Sequence, residues 1–136
     1  MLADAMKRNT IRLLLVDDNP HARRGMAALM SLHPEINIVG EASNGQEAIA
    51  AAETIQPEII VMDVQMPIIN GIDATRLIKD RWPHVKVIVL TIYPNYRVEA
   101  KFAGADAFLV KGCPAEELLS VVTGATMAEN NPTCNK

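Results

Sequence analysis

In the stretch "LLLVDDNP", residues 13–20, two adjacent carboxylates, Asp17 and Asp18, follow directly on the apolar run Leu13-Leu14-Leu15-Val16. Side by side they repel, and in a poorly solvated place one of them keeps its proton to higher pH unless a cation neutralises the pair. A solvated turn and helix cap is the plainer use of the same residues. Three further polar residues close apolar runs in the same way: Asp63 after "EIIVM", Thr91 after "VKVIVL" and Lys111 at the end of "DAFLVK". Singly, such residues serve as caps, packed hydroxyls or solvated ends. Gathered on one rim, they would set three carboxylates, a hydroxyl and an ammonium around a common point.

Whether they gather depends on the elements that carry them. The runs at 11–16, 36–41, 58–62, 85–90 and 106–111 are short, and all but the second are near-continuous in apolar residues or rich in Val, Ile and Leu. Strands covered on both faces read this way. Between them lie segments of helical spacing, with Ala22, Met26, Leu29 and Met30 on one face, then Ala48, Ile49, Ala52 and Ile55, then Ile72, Thr75 and Ile78 with Leu77 beside them. Asn19-Pro20 offers an N-cap and first-turn proline, Asn44 a second cap, and Pro34, Pro57 and Pro83 stop helices before the next strand. A last helix starts near Pro114, with Glu116 and Glu117 in its first turn. The pattern predicts an α/β fold, a doubly wound (βα)5 sandwich of three layers around a parallel sheet. In such a sheet, ligands bind outside the carboxyl ends of the strands, where the five polar residues stand.

Composition sets the outer limits. A chain of 136 residues with 49% hydrophobic and 21% charged residues should form one globular domain. Its net charge of −3 gives no broad basic footprint for nucleic acid or an anionic membrane. Cys113 and Cys134 lack metal-ligand spacing and suit a reducing cytoplasm as incidental thiols. The apolar run ahead of Asp17 is too short for a signal-peptide core or a membrane span. The expected organisation is a polar lead at 1–10, a domain at 11–125 and a loose tail at 126–136, the whole in the cytoplasm and off the membrane.

The order Asp17-Asp18, Asp63, Thr91, Lys111, with "DVQMPIINGID" after the third run and "AGADAFLVK" before the last lysine, resembles the CheY-like receiver domain of two-component response regulators. The resemblance covers 11 to about 125 and implies a flavodoxin-like sheet of order 2-1-3-4-5. It makes Asp63 the phosphoacceptor, phosphorylated by a sensor histidine kinase. It also makes Asp17 and Asp18 an acidic pocket for Mg²⁺, with Asp18, Asp63 and the backbone carbonyl of Gln65 as direct ligands and Asp17 acting through water. Lys111 and Thr91 would contact the phosphoryl group, and Phe108 matches the aromatic residue that follows movement of the loop after Thr91. Gln65 and Tyr93 match positions flanking the approach of hydrolytic water, and a bulky Tyr93 would slow loss of the phosphoryl group.

Two departures stand out. Lys111 is followed by Gly112 instead of the frequent proline, so a cis peptide there is not implied, and Ile92 is bulky where many receivers have a small residue. Ile92 and "KGCPAEELLSVV" are closer to receivers of the NarL/LuxR-type regulators, in which a helix-turn-helix effector follows. The chain as given carries no such effector, so it is expected not to bind DNA directly. Its expected output is a surface for an output domain or partner protein, or a homodimer formed on phosphorylation. The resemblance also implies slow autodephosphorylation without turnover catalysis.

A phosphatase of the haloacid-dehalogenase type would use similar residues. In that pattern, however, the nucleophile lies on the first strand and an acid-base Asp follows two residues later. Here the acidic pair comes first, and Gln65 stands two residues after Asp63, unable to act as acid or base. No Gly-rich or Walker loop follows the first run, which disfavours a nucleotide-binding module.

Overall fold

The computed structural model of the chain describes residues 10–124. Five strands, β1 (Ile11–Val16), β2 (Ile36–Ala42), β3 (Ile59–Met62), β4 (Lys86–Thr91) and β5 (Ala107–Val110), form one sheet in the order β2-β1-β3-β4-β5. Every neighbouring pair is parallel. The helices are α1 (Pro20–Ser31), α2 (Gly45–Ile55), α3 (Gly71–Arg81), α4 (Arg97–Phe102) and α5 (Ala115–Thr123), and a 3-10 turn, Pro94–Tyr96, leads into α4.

Strand alternation divides the core in two. Leu14 and Val16 point to the face that carries Ala48 and Ala52 of α2, Ile72 and Ile78 of α3 and Ala100 of α4. Leu13 and Leu15 point to the other, against Met30 of α1 and Leu118 and Val121 of α5. Because successive strand residues face opposite ways, one apolar run feeds both layers. This is the expected doubly wound three-layer sandwich.

The caps follow the side chains available. The Asn19 side chain accepts from the His21 and Ala22 N–H groups, and that of Asn44 accepts from Glu47 N–H. Asn70 caps α3 by accepting from Asp73 N–H at 2.9 Å, a role the sequence reading did not assign. Pro114 stands at the cap of α5, one place before the first turn, and α5 ends at Gly124 with φ 74°. Leu77 lies apart from the buried face of α3, 46% exposed.

The sequence reading also passed over α4. It is six residues long and leaves Val98 and Phe102 exposed, so its single turn and a half carries too little periodicity to register. Of the expected lead and tail, all but Thr10 lies outside the described residues, as does Cys134. Among the described residues no helix is long and apolar enough to cross a membrane.

Candidate functional site

The sheet delivers its polar residues to one rim through its backbone ladder. Asp17 N–H donates to the Ala42 carbonyl at 3.0 Å and Asp63 N–H to the Val16 carbonyl at 3.0 Å. Lys111 N–H donates to the Thr91 carbonyl at 2.8 Å, which ties the end of β5 to the end of β4. One oxygen of each carboxylate is then held locally: Asp17 Oδ1 accepts from Asn19 N–H at 2.9 Å and Asp63 Oδ1 from Val64 N–H at 2.7 Å. The remaining oxygens meet across the rim. Lys111 Nζ donates to Asp17 Oδ2 at 2.8 Å and to Asp63 Oδ2 at 3.1 Å.

Carboxylate oxygens of Asp17, Asp18 and Asp63 lie within 4.8 Å of one another. Asp17 is buried, Asp63 half-buried and Asp18 exposed, so the cluster opens to water on the Asp18 side. Burial pushes the Asp63 carboxyl above the usual carboxylate range; the Lys111 charge and the Val64 N–H oppose this, and the neighbouring Asp17 adds to it. For Lys111, burial works against the charge, yet the hydrogen bond to Asp17 and the fields of both carboxylates more than offset it, and the ammonium is held above the ordinary lysine range. The two directions look opposed for partners in one ion pair. They agree once the sharing is counted: Lys111 faces two anions, whereas Asp63 has half of one cation and an anionic neighbour.

Three carboxylates with one open side match the donor set of a hard divalent cation such as Mg²⁺, which takes oxygen ligands and keeps several waters. Thr91 is fully buried, and its Oγ1 accepts from Tyr93 N–H at 3.3 Å. Phe108 is 8% exposed and lies under the Arg97 guanidinium, 4.8 Å from its ring centroid. Gly112 has φ 98°, and no cis peptide occurs among the described residues.

The loop after Asp63 is closed by close backbone approach. Gly71 N–H donates to the Val64 carbonyl and Gly45 N–H to the Ile69 carbonyl, both at 2.8 Å. Ile68 within it adopts φ 71° and is 70% exposed, a backbone conformation that costs a β-branched residue on the order of 1–3 kcal/mol.

Two residues of the surroundings carry no signal in the sequence. Arg23 is turned inward: Nη1 donates to the Asp17 carbonyl at 2.5 Å and Nε to Glu41 at 2.8 Å. Tyr96 was not singled out, and its hydroxyl accepts from Gln65 Nε2 at 3.2 Å. Its partner is 31 residues away in the chain, so no local pattern announces it.

A family model described as the response regulator receiver domain matches residues 13–123. The chain belongs to this family. Curated relatives of the receiver include the transcriptional regulatory protein LnrK of Bacillus subtilis, 36% identical over 114 residues, 82% of this chain and 52% of LnrK. The nitrate/nitrite response regulator NarL of Escherichia coli is 34% identical over 119 residues, covering 86% of this chain and 55% of NarL. The receiver thus spans about half the length of the curated relatives it matches. Among solved structures, the response regulator domain of Thermotoga maritima CheB superposes with a TM-score of 0.80 at 32% identity, covering 85% of this chain and 96% of that one. A LuxR-family response regulator from Aurantimonas gives 0.81 at 28% identity, covering 93% and 95%. The relatives place the receiver among NarL/LuxR-type regulators of two-component systems. Receiver domains bind Mg²⁺ at an acidic pocket and are generally not turnover enzymes.

Proposed function

We propose that this receiver is a phosphorylation switch in which Asp63 takes a phosphoryl group from the phosphohistidine of a sensor histidine kinase, in the cytoplasm, and passes the change to an output domain or partner. The observation that carries the reading is the Lys111 ammonium spanning Asp17 and Asp63 beside Asp18. An oxygen of Asp63 attacks phosphorus in line with the P–N bond. The O–P bond forms as the P–N bond breaks, and its electron pair returns to the imidazole nitrogen.

Mg²⁺ held by Asp18, Asp63 and the Gln65 carbonyl, with Asp17 acting through water, would supply positive charge against a phosphoryl oxygen. Lys111, already at Asp63, meets a second oxygen by a small displacement of its ammonium. Thr91 reaches a third if its hydroxyl leaves Tyr93 N–H, and that exchange draws on the loop after β4, with Phe108 filling the space behind it. The core unit is 11–125. Intact-protein mass spectrometry after acetyl phosphate and Mg²⁺ tests the reading: a single phosphoryl adduct is expected, lost in excess chelator. An adduct formed equally well without metal would contradict it.

Slow autodephosphorylation completes the cycle. Neither Gln65 nor Tyr93 bears a carboxylate to take a proton from attacking water. The Tyr93 ring is 37% exposed and stands edge-on to Tyr96, with centroids 6.1 Å apart, which leaves its bulk beside the rim. Tyr93→Ala should therefore shorten the phospho-Asp63 lifetime by about threefold or more, since placement of a reacting water strongly affects rate. Loss of labelled phosphate at fixed Mg²⁺ measures it, and an unchanged lifetime would remove Tyr93 from this role.

A further inference from the structure

Gln65 and Tyr93 reach the rim from different loops, one after β3 and one after β4. Both are exposed, and free side chains in such places sample many rotamers. Each of them, however, touches Tyr96. Gln65 Nε2 donates to the Tyr96 hydroxyl at 3.2 Å. The Tyr93 ring meets the Tyr96 ring edge-on, with an interplanar angle of 85°.

Tyr96 is itself fixed. It is half-buried, packs on the core layer of α2, α3 and α4, and its N–H donates to the Tyr93 carbonyl at 3.4 Å as the 3-10 turn passes into α4. Gln65 and Tyr96 together form part of the lining of a groove of about 490 Å³, so the hydrogen bond between them fixes one position of the Gln65 amide where open space would allow others.

We infer that Tyr96 is a positioning residue for the phosphoryl lifetime: its hydroxyl and ring hold Gln65 and Tyr93 together as a fence across the line of water attack on phospho-Asp63. The inference rests on the phosphoacceptor role of Asp63 given above. The Tyr96 side chain contacts Gln65 and Tyr93 and takes no part in the transfer itself. It acts by holding two exposed side chains each in one position, which is preorganisation in the ordinary sense. If Tyr96 served only to pack α4 against the core, loss of its hydroxyl would leave hydrolysis untouched, because the ring would remain.

The test is a double-mutant cycle on hydrolysis. Parent, Tyr96→Phe, Gln65→Ala and the double variant are loaded with acetyl phosphate and Mg²⁺, freed of donor, and followed by intact-protein mass spectrometry, with thermal melts alongside. Tyr96→Phe is expected to hydrolyse about threefold faster than the parent, the scale of one net hydrogen bond, and to add nothing further in the Gln65→Ala background. Tyr96→Leu, which also removes the ring that Tyr93 leans on, should be faster than Tyr96→Phe. Equal lifetimes in parent and Tyr96→Phe would overturn the tether, as would independent effects of the two substitutions in the cycle. A parent chain that takes up no phosphoryl group at Asp63 would overturn the proposed function and the tether with it, whereas loading with equal lifetimes overturns the tether alone.

Discussion

Asp63→Asn is expected to take up no phosphoryl group under conditions that load the parent fully. The amide has no anionic oxygen to offer phosphorus, and the proposed function assigns the transfer to Asp63 alone. The same substitution has a second, opposite effect on the fold. Burial holds the Asp63 carboxyl above the usual range, with Lys111 only partly compensating, so folding disfavours its charged form. A group with a raised folded pKa binds its proton more tightly in the folded state. In the metal-free parent Asp63 should thus contribute stability that is fully present below the ordinary carboxylate pKa and is lost as pH rises through the raised value, with Lys111 charged throughout. Asp63→Asn should melt no lower than the parent at neutral pH without metal, show a flatter pH dependence, and gain less from added Mg²⁺. A full adduct on Asp63→Asn by mass spectrometry would sink the assignment; a clear loss of thermal stability in the metal-free variant would show that the ion pair with Lys111 outweighs desolvation.

The second large effect concerns a residue that does no chemistry. A methyl group added at Gly71 would sit 1.7 Å from the Asp63 carbonyl oxygen and 3.0 Å from Met62 Cγ. The nearest obstacle is backbone, so it cannot turn aside as a side chain would. Either α3 moves away from the sheet or the acceptor peptide is pushed outward. Gly71→Ala should cost about 3 kcal/mol or more, at the upper end for overpacking, and lower the melting temperature by roughly 10 °C or more. Gly25→Ala provides the contrast. Gly25 lies at an exposed position of α1 with nothing within 4 Å of the added methyl, so the same change there should stabilise by about 0.5–1 kcal/mol. Paired thermal melts decide the matter, and a Gly71→Ala variant as stable as the parent would mean that the loop has room the structure does not show.

These cases show where the sequence is informative. Asp17, Asp63, Thr91 and Lys111 were legible because each one ends a continuous apolar run, and a parallel sheet puts all such ends on one rim. Asn19 and Asn44 were legible because a cap acts on residues two or three places ahead. Tyr96, Arg23 and α4 were not. The Arg23 guanidinium meets a carboxylate 18 residues away, and the Tyr96 hydroxyl meets an amide 31 residues away, so each contact exists only after the strands have assembled. A helix of six residues with exposed Val98 and Phe102 writes no face into the chain at all. The acceptor loop is an intermediate case. Its Gly71 could be seen in "MPIING", but the reason only glycine fits is the distance to a carbonyl eight residues earlier, which is a property of the packed loop.

The lysine that bridges Asp17 and Asp63 also sets an order of events in the making of the molecule. It lies 94 residues beyond one partner and 48 beyond the other. During synthesis, which proceeds from the amino terminus, all three carboxylates emerge well before their counter-charge does. A nascent chain that stops short of β5 can pair β1 with β2 and β3, yet it lacks the lysine that bridges Asp17 and Asp63, and every step that brings those carboxylates together works against their repulsion. Docking of the last strand removes that opposition. On the proposed function, competence to accept a phosphoryl group therefore arrives with the docking of β5, so a fragment ending before it would be poor both as a fold and as a phosphoacceptor.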